Sequence, residues 1–230
     1  MTKKSILKSG DQNQLPSAST GDYAYTALKG IVGMIPIAGA PIAELLGIIV
    51  SPPLEKRRRE WMEEIGNRLH ELEREKKVNL ETLRSDPKFI DTVIEATRIA
   101  IKTSIKEKLA VLRNIVVNTA VGGNPDESEA LIFLALVDRF TILHIKVLKV
   151  LASFDPNAAP GRTPSLKNFI LSALPELKSR EDLLNVVYED LKQSGLHDAP
   201  DIMTILMGAS LGKKTTSFGD GFLRFITDHS

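Results

Sequence analysis

The residue types able to do chemistry are few, and their spacing is poor for it. The histidines are His70, His144, His197 and His229, too scattered for the paired i, i+4 arrangement of a metal helix. His70 lies among Glu71, Glu73 and Glu75 and reads as a surface residue, while His144 beside Ile145 and Leu148 reads as a structural one. Glu63-Glu64 and the Glu71/Glu73/Glu75 set read as the acidic half of a salt-laced helix face, not as an acid–base pair. Cysteine is absent, so thiolate catalysis, disulfides and thiolate zinc sites are excluded. The run Gly208-Ala-Ser-Leu-Gly212-Lys213-Lys214-Thr215 imitates a phosphate-binding loop, but its second glycine comes one residue early and no apolar strand leads into it. No spacing assembles a catalytic constellation, so the expectation is a protein that is not an enzyme, with no cofactor and no metal.

A different kind of chemistry is carried by apolar surface. Gly30–Val50, GIVGMIPIAGAPIAELLGIIV, has Glu44 as its only charge and is followed by Ser51-Pro52-Pro53 and the basic run Lys56, Arg57, Arg58 and Arg59. As a membrane-spanning helix it is marginal. Its 11 large apolar side chains, Met34 included, gain about 3–6 kcal/mol on the insertion scale, and one carboxylate near the centre costs about 2.5–3.5 kcal/mol before prolines and glycines are counted. Pro36 and Pro41 instead suggest a bent hairpin of two helical pieces, about 23–35 and 42–50, ended by Ser51-Pro52-Pro53. Small residues would allow close backbone approach there. The expected membrane or oligomer contacts are Ile31, Ile35, Pro36, Gly39, Pro41, Ile42, Glu44, Gly47 and Ile48, with Lys56–Arg59 facing an anionic surface.

The elements around this segment read as mainly α. Composition fits a globular chain of 230 residues, 43% hydrophobic and 26% charged, with a formal net charge of +1. That near-neutral balance argues against a dedicated nucleic-acid binder. Residues 1–21 read as a mobile polar tail, with neither a signal peptide nor a myristoylation glycine. An amphipathic helix runs from Leu54 to about Lys77 with Trp61, Met62, Ile65, Leu69 and Leu72 inward. Asp86-Pro87 starts the next, and its stripe from Phe89 to Val116 is one rod or two helices broken near Thr103-Ser104. Gly122-Gly123 ends the stripe, Asn124 to Glu127 restarts the chain, and Leu131–Val137 reads as buried. Helices follow over Ile142–Ala152, Ser165–Leu174 and Glu181–Lys192, separated by a Pro/Gly-rich linker at 155–164. A last one holds Phe222, Leu223 and Ile226 inward. The expected organisation is a helical bundle over 22–140 with the apolar hairpin at 30–50, then a small domain over 141–230.

Two resemblances rest on particular stretches. Thr216-Ser-Phe-Gly219-Asp-Gly-Phe222-Leu223-Arg-Phe-Ile226, preceded by a helix ending in Gly195-Leu196 and a wing-like stretch, resembles the C-terminal part of winged-helix domains. That likeness implies Glu181–Lys192 as the recognition helix. Its Glu181, Asp182, Glu189 and Asp190 oppose phosphate binding and favour a protein partner. The apolar hairpin with PPLEKRRREWMEEI, and then PKFIDTVIEATRIAIKTSIKEKLAVLRNIVVNTA, resembles stretches of bacterial helical proteins of unassigned function, and the organisation is loosely similar to that of abortive-infection proteins of the Abi-alpha type and of membrane-active helical effectors. This implies a phage-defence effector, cytoplasmic or peripheral to the inner membrane, acting by conditional membrane association or self-association. The alternatives are a soluble protein-binding adaptor using the winged-helix-like region and, third, a transcriptional regulator.

Overall fold

A computed structural model of the chain describes residues 40–123, 125–154, 165–203 and 213–227, and of residues 40–52 the backbone alone. Contacts divide the chain into two compact units, Met1–Lys56 and Arg57–Ser230. The division expected near residue 140 therefore falls inside the second unit. The polar tail, the first arm of the hairpin, the 155–164 linker and Gly208–Gly212 lie outside the described residues.

The described chain is helical, with no β-strand among its residues. Helix α1 is Ala40–Arg74. It does not stop at Ser51-Pro52-Pro53 as the sequence suggests. Proline's fixed φ suits a helix, and each ring removes one rung while crowding the carbonyl four residues back, at about 3 kcal/mol each. The helix formers from Leu54 onward continue the element past them. Its end at Arg74, short of Lys77, coincides with a left-handed Lys76, φ 59°.

Helix α2, Leu80–Leu83, is capped by Asn79, whose side chain accepts from the amides of Glu81 and Thr82. Asp86 caps α3, Pro87–Ala100, by accepting from the Lys88 amide, with Pro87 in the first turn where no donor is missed. The long stripe is two helices: a turn over 101–105 separates α3 from α4, Lys106–Ala120. Gly122, φ 81°, supplies the left-handed stop. Asp126 caps α5, Glu127–Arg139, through the Glu129 amide.

Helix α6, Ile142–Ala152, opens on Thr141, and its cap uses a histidine: Nδ1 of His144 accepts from the Thr141 amide at 3.2 Å and lies 2.9 Å from its hydroxyl. Ser165 caps α7, Leu166–Ala173, and a 3-10 turn, Pro175–Leu177, leads to α8, Glu181–Gln193. An antiparallel bridge pairs His197 with Thr215 before α9, Ser217–Ile226.

One connected core joins all the longer helices of the second unit. It includes Trp61 and Ile65 of α1, Ala96 and Ile99 of α3, Leu112 and Ile115 of α4, Phe133 of α5, Leu148 of α6, Leu184 and Tyr188 of α8, and Phe222 and Phe225 of α9. Helix α4 touches both α3 and α9 extensively, so the last helix closes on the middle of the chain. Phe133 stands among Phe218, Phe222 and Phe225 with ring centroids 4.9–5.7 Å apart. Asn118 of α4, buried, donates from Nδ2 to the carbonyls of Phe225 and Thr227, and Asn114 donates to that of Ile226. These are carbonyls of the final turn of α9, which lack partners within their own helix.

The start of α9 is fixed as tightly. Gly195 turns the chain with φ 73°, and the Thr216 hydroxyl donates to its carbonyl. The same hydroxyl oxygen caps α9 by accepting from the Gly219 amide at 3.0 Å. Gly219 lies so close to the preceding turn that a Cβ there would sit 2.0 Å from the Leu196 carbonyl oxygen.

Candidate functional site

The basic run occupies consecutive positions of α1, and the helical pitch sends its members to different flanks. Arg57 points to one side, half-buried, and its Nη1 lies 3.4 Å from the Ile101 carbonyl at the end of α3. Arg58 and Arg59 are exposed and have no ion pair among the described residues. Lys56 is exposed too. Of the other expected contacts, Ile31, Ile35, Pro36 and Gly39 lie outside the described residues. Pro41, Ile42, Glu44, Gly47 and Ile48 fall on α1 where the backbone alone is described.

On the flank that carries Arg58, one turn further along α1, Met62 is 46% exposed, against the expectation that it faces inward. Trp61 next to it faces inward as expected, donating from Nε1 to Thr97 Oγ1 at 3.0 Å. The Thr97 hydroxyl in turn reaches Met62 Sδ, at 3.9 Å. Ile90 and Ile94 precede Thr97 at four- and three-residue spacing on that side of α3, and Ile94 is 58% exposed. The result is an apolar ridge shared by α1 and α3, with exposed cations at one end. Leu131 and Ile132 of α5 are also exposed, whereas the sequence reads Leu131–Val137 as buried. The inward stripe of α5 is narrower, carried by Ala130, Phe133, Leu134, Leu136 and Val137.

Arg57's own flank borders a cleft of about 390 Å³. Its walls are α1, the α3–α4 turn and α4. Trp61, Ala100, Leu109 and Ala110 form the apolar part, and Arg57, Lys106, Arg113, Glu60 and Glu64 stand around it with Thr103. Arg113 Nη1 is 2.6 Å from Glu64 Oε1. Sequence reasoning passed over this cleft, since Lys106 and Arg113 look like ordinary solvated positions of an amphipathic helix.

Among the described residues, two histidines, His144 and His197, are buried and serve the packing of the fold. Burial, outweighing the attraction of Asp190 to Nε2 at 3.3 Å, holds His144 below the usual imidazole range, so it stands neutral at pH 7. Its ring stacks on Phe140 with centroids 4.7 Å apart. His197 is 2% exposed; its Nε2 must carry the proton, because its partner 2.9 Å away is the Tyr188 carbonyl. Nδ1 then keeps a buried lone pair with no partner, and burial lowers the pKa. His70 is on the surface, as its acidic neighbours imply.

No protein-family model, curated protein or solved structure matches the chain. Among the described residues no helix is long and apolar enough to cross a membrane.

Proposed function

We propose that the chain is a non-enzymatic helical effector, of the bacterial phage-defence kind, that associates peripherally with an anionic membrane surface and there engages the apolar 30–50 segment. The observation that carries this reading is the ridge of Met62, Ile90 and Ile94 beside the exposed Arg58 and Arg59. Apolar side chains suit the boundary between headgroups and acyl chains, and each nearby cation adds about 1 kcal/mol at an anionic leaflet. Flotation with vesicles containing phosphatidylserine, at physiological salt, tests it. The protein floats with those vesicles and not with phosphatidylcholine alone. The double variant Arg58→Glu/Arg59→Glu stays at the bottom, and so does Ile94→Asp. Equal recovery of the wild type in the bottom fraction with both lipids removes the reading.

The second reading is a protein-binding adaptor built on the winged-helix-like region, and α8 favours it. The exposed positions of α8 include Asp182, Asn185, Val186 and Glu189, an acidic face with one aliphatic centre. Such a face repels phosphate and suits a basic protein surface, which also keeps a DNA-binding regulator in third place.

A further inference from the structure

We propose that the cleft between α1 and α4 binds a small amphipathic anion, a carboxylate or phosphate head on a short apolar body. The inference is independent of the membrane reading, which uses the opposite flank of α1. Small-molecule sites are mostly apolar hollows of roughly 300–1,000 Å³ with a few convergent polar groups, and a cleft of about 390 Å³ over Trp61, Ala100 and Leu109 has that character.

The charges around it select the sign of the ligand. Three cations, Arg57, Lys106 and Arg113, face two carboxylates, Glu60 and Glu64. Arg113 is committed to Glu64. Lys106 has no hydrogen bond or ion pair among the described residues, and Arg57 has only the long contact to a neutral carbonyl. Two cations with donors to spare therefore stand beside apolar surface. An anionic head takes those donors while its tail covers Leu109 and Ala110. A neutral apolar molecule leaves both cations half-desolvated without gain.

Trp61 is the only tryptophan of the chain and lines the cleft, so its emission reports occupancy directly. The experiment titrates the full chain with sodium octanoate, octyl phosphate and, as the uncharged counterpart, 1-octanol. The expected result is saturable change in Trp61 emission with one or both anions and at least tenfold weaker response to 1-octanol. Lys106→Gln, which removes no contact of the fold, weakens the anion at least tenfold, and Ala110→Phe abolishes saturation by filling the cleft. Octanoate against octyl phosphate distinguishes a carboxylate from a phosphate ligand. Absence of a saturable change up to about 1 mM overturns the proposal, as does an equal response to 1-octanol or an unchanged affinity in Lys106→Gln. Arg58→Glu/Arg59→Glu keeps the octanoate response, so loss of vesicle binding and loss of the anion site are separable.

Discussion

Two glycines, two residues apart on one helix, carry opposite predictions. At Gly219 an added Cβ meets the Leu196 carbonyl oxygen at 2.0 Å, its carbon at 2.9 Å and its Cα at 3.2 Å. All three are backbone atoms, so no rotamer change relieves the clash. Helix α9 must move away by more than an ångström, which breaks the Thr216 cap on the Gly219 amide and the bond from the Thr216 amide to the Leu196 carbonyl. Overpacking costs roughly 1–3 kcal/mol and a lost cap about 1 kcal/mol, giving about 3 kcal/mol for Gly219→Ala. At Gly221 the nearest atoms are a side-chain carbon of Phe133 at 3.4 Å and a carboxylate oxygen of Glu129 at 3.5 Å, ordinary contacts. There alanine gains helix propensity, up to about 1 kcal/mol. Urea unfolding followed by circular dichroism measures both. Gly219→Ala lowers the midpoint by an amount equivalent to about 3 kcal/mol, and Gly221→Ala leaves it unchanged or raises it. A Gly219→Ala protein within 0.5 kcal/mol of wild type, a margin of roughly ordinary surface substitutions, refutes the close approach.

Two more outcomes test the fold. His144 and His197 have folded-state pKa values held down by burial, so the unfolded chain binds more protons than the folded one as pH falls below about 6.5. Stability is full above that pH and declines on acidification until the folded-state values are passed. Thermal midpoints measured between pH 7.5 and 5.5 fall accordingly, and His144→Gln or His197→Gln flattens the slope even where it lowers the plateau. Asn118→Ala strips the final turn of α9 of its buried donor and costs about 2 kcal/mol by urea titration, while Asn118→Asp, with no N–H to give, costs at least as much.

Local chemistry is what the sequence made legible. Asp86-Pro87, Gly122-Gly123 and Gly195 mark starts and stops through backbone rules that act within a few residues, and each stands where an element begins or ends. Thr216 and Gly219, singled out in the sequence by the winged-helix likeness, stand at the start of α9, where Gly219 approaches the Leu196 backbone. Periodicity was less informative about faces. It identified apolar stripes on α1, α3 and α5, but the width of each buried strip depends on how far the neighbouring helix reaches, so Met62, Ile94 and Leu131 lie on the open side. The Pro52-Pro53 stop failed because a breaker states a cost, and an amphipathic continuation can exceed it. The cleft was invisible for a stronger reason. Arg57, Ala100, Lys106 and Arg113 are brought together by the turn between α3 and α4, and nothing in their types or spacing records that meeting.

The asparagines of α4 also set a timetable. Their acceptors lie more than a hundred positions later in the chain, with separations of 107 for Asn118 to Phe225 and 112 for Asn114 to Ile226. During synthesis α3, α4 and α5 can assemble locally, yet that early assembly holds an amide with nothing to donate to and a Phe133 ring without its three aromatic neighbours. Closing so long a loop is slow relative to local helix pairing. The nascent chain therefore passes through a stage in which its central helices are formed and one side of them is still open, ended only when α9 arrives.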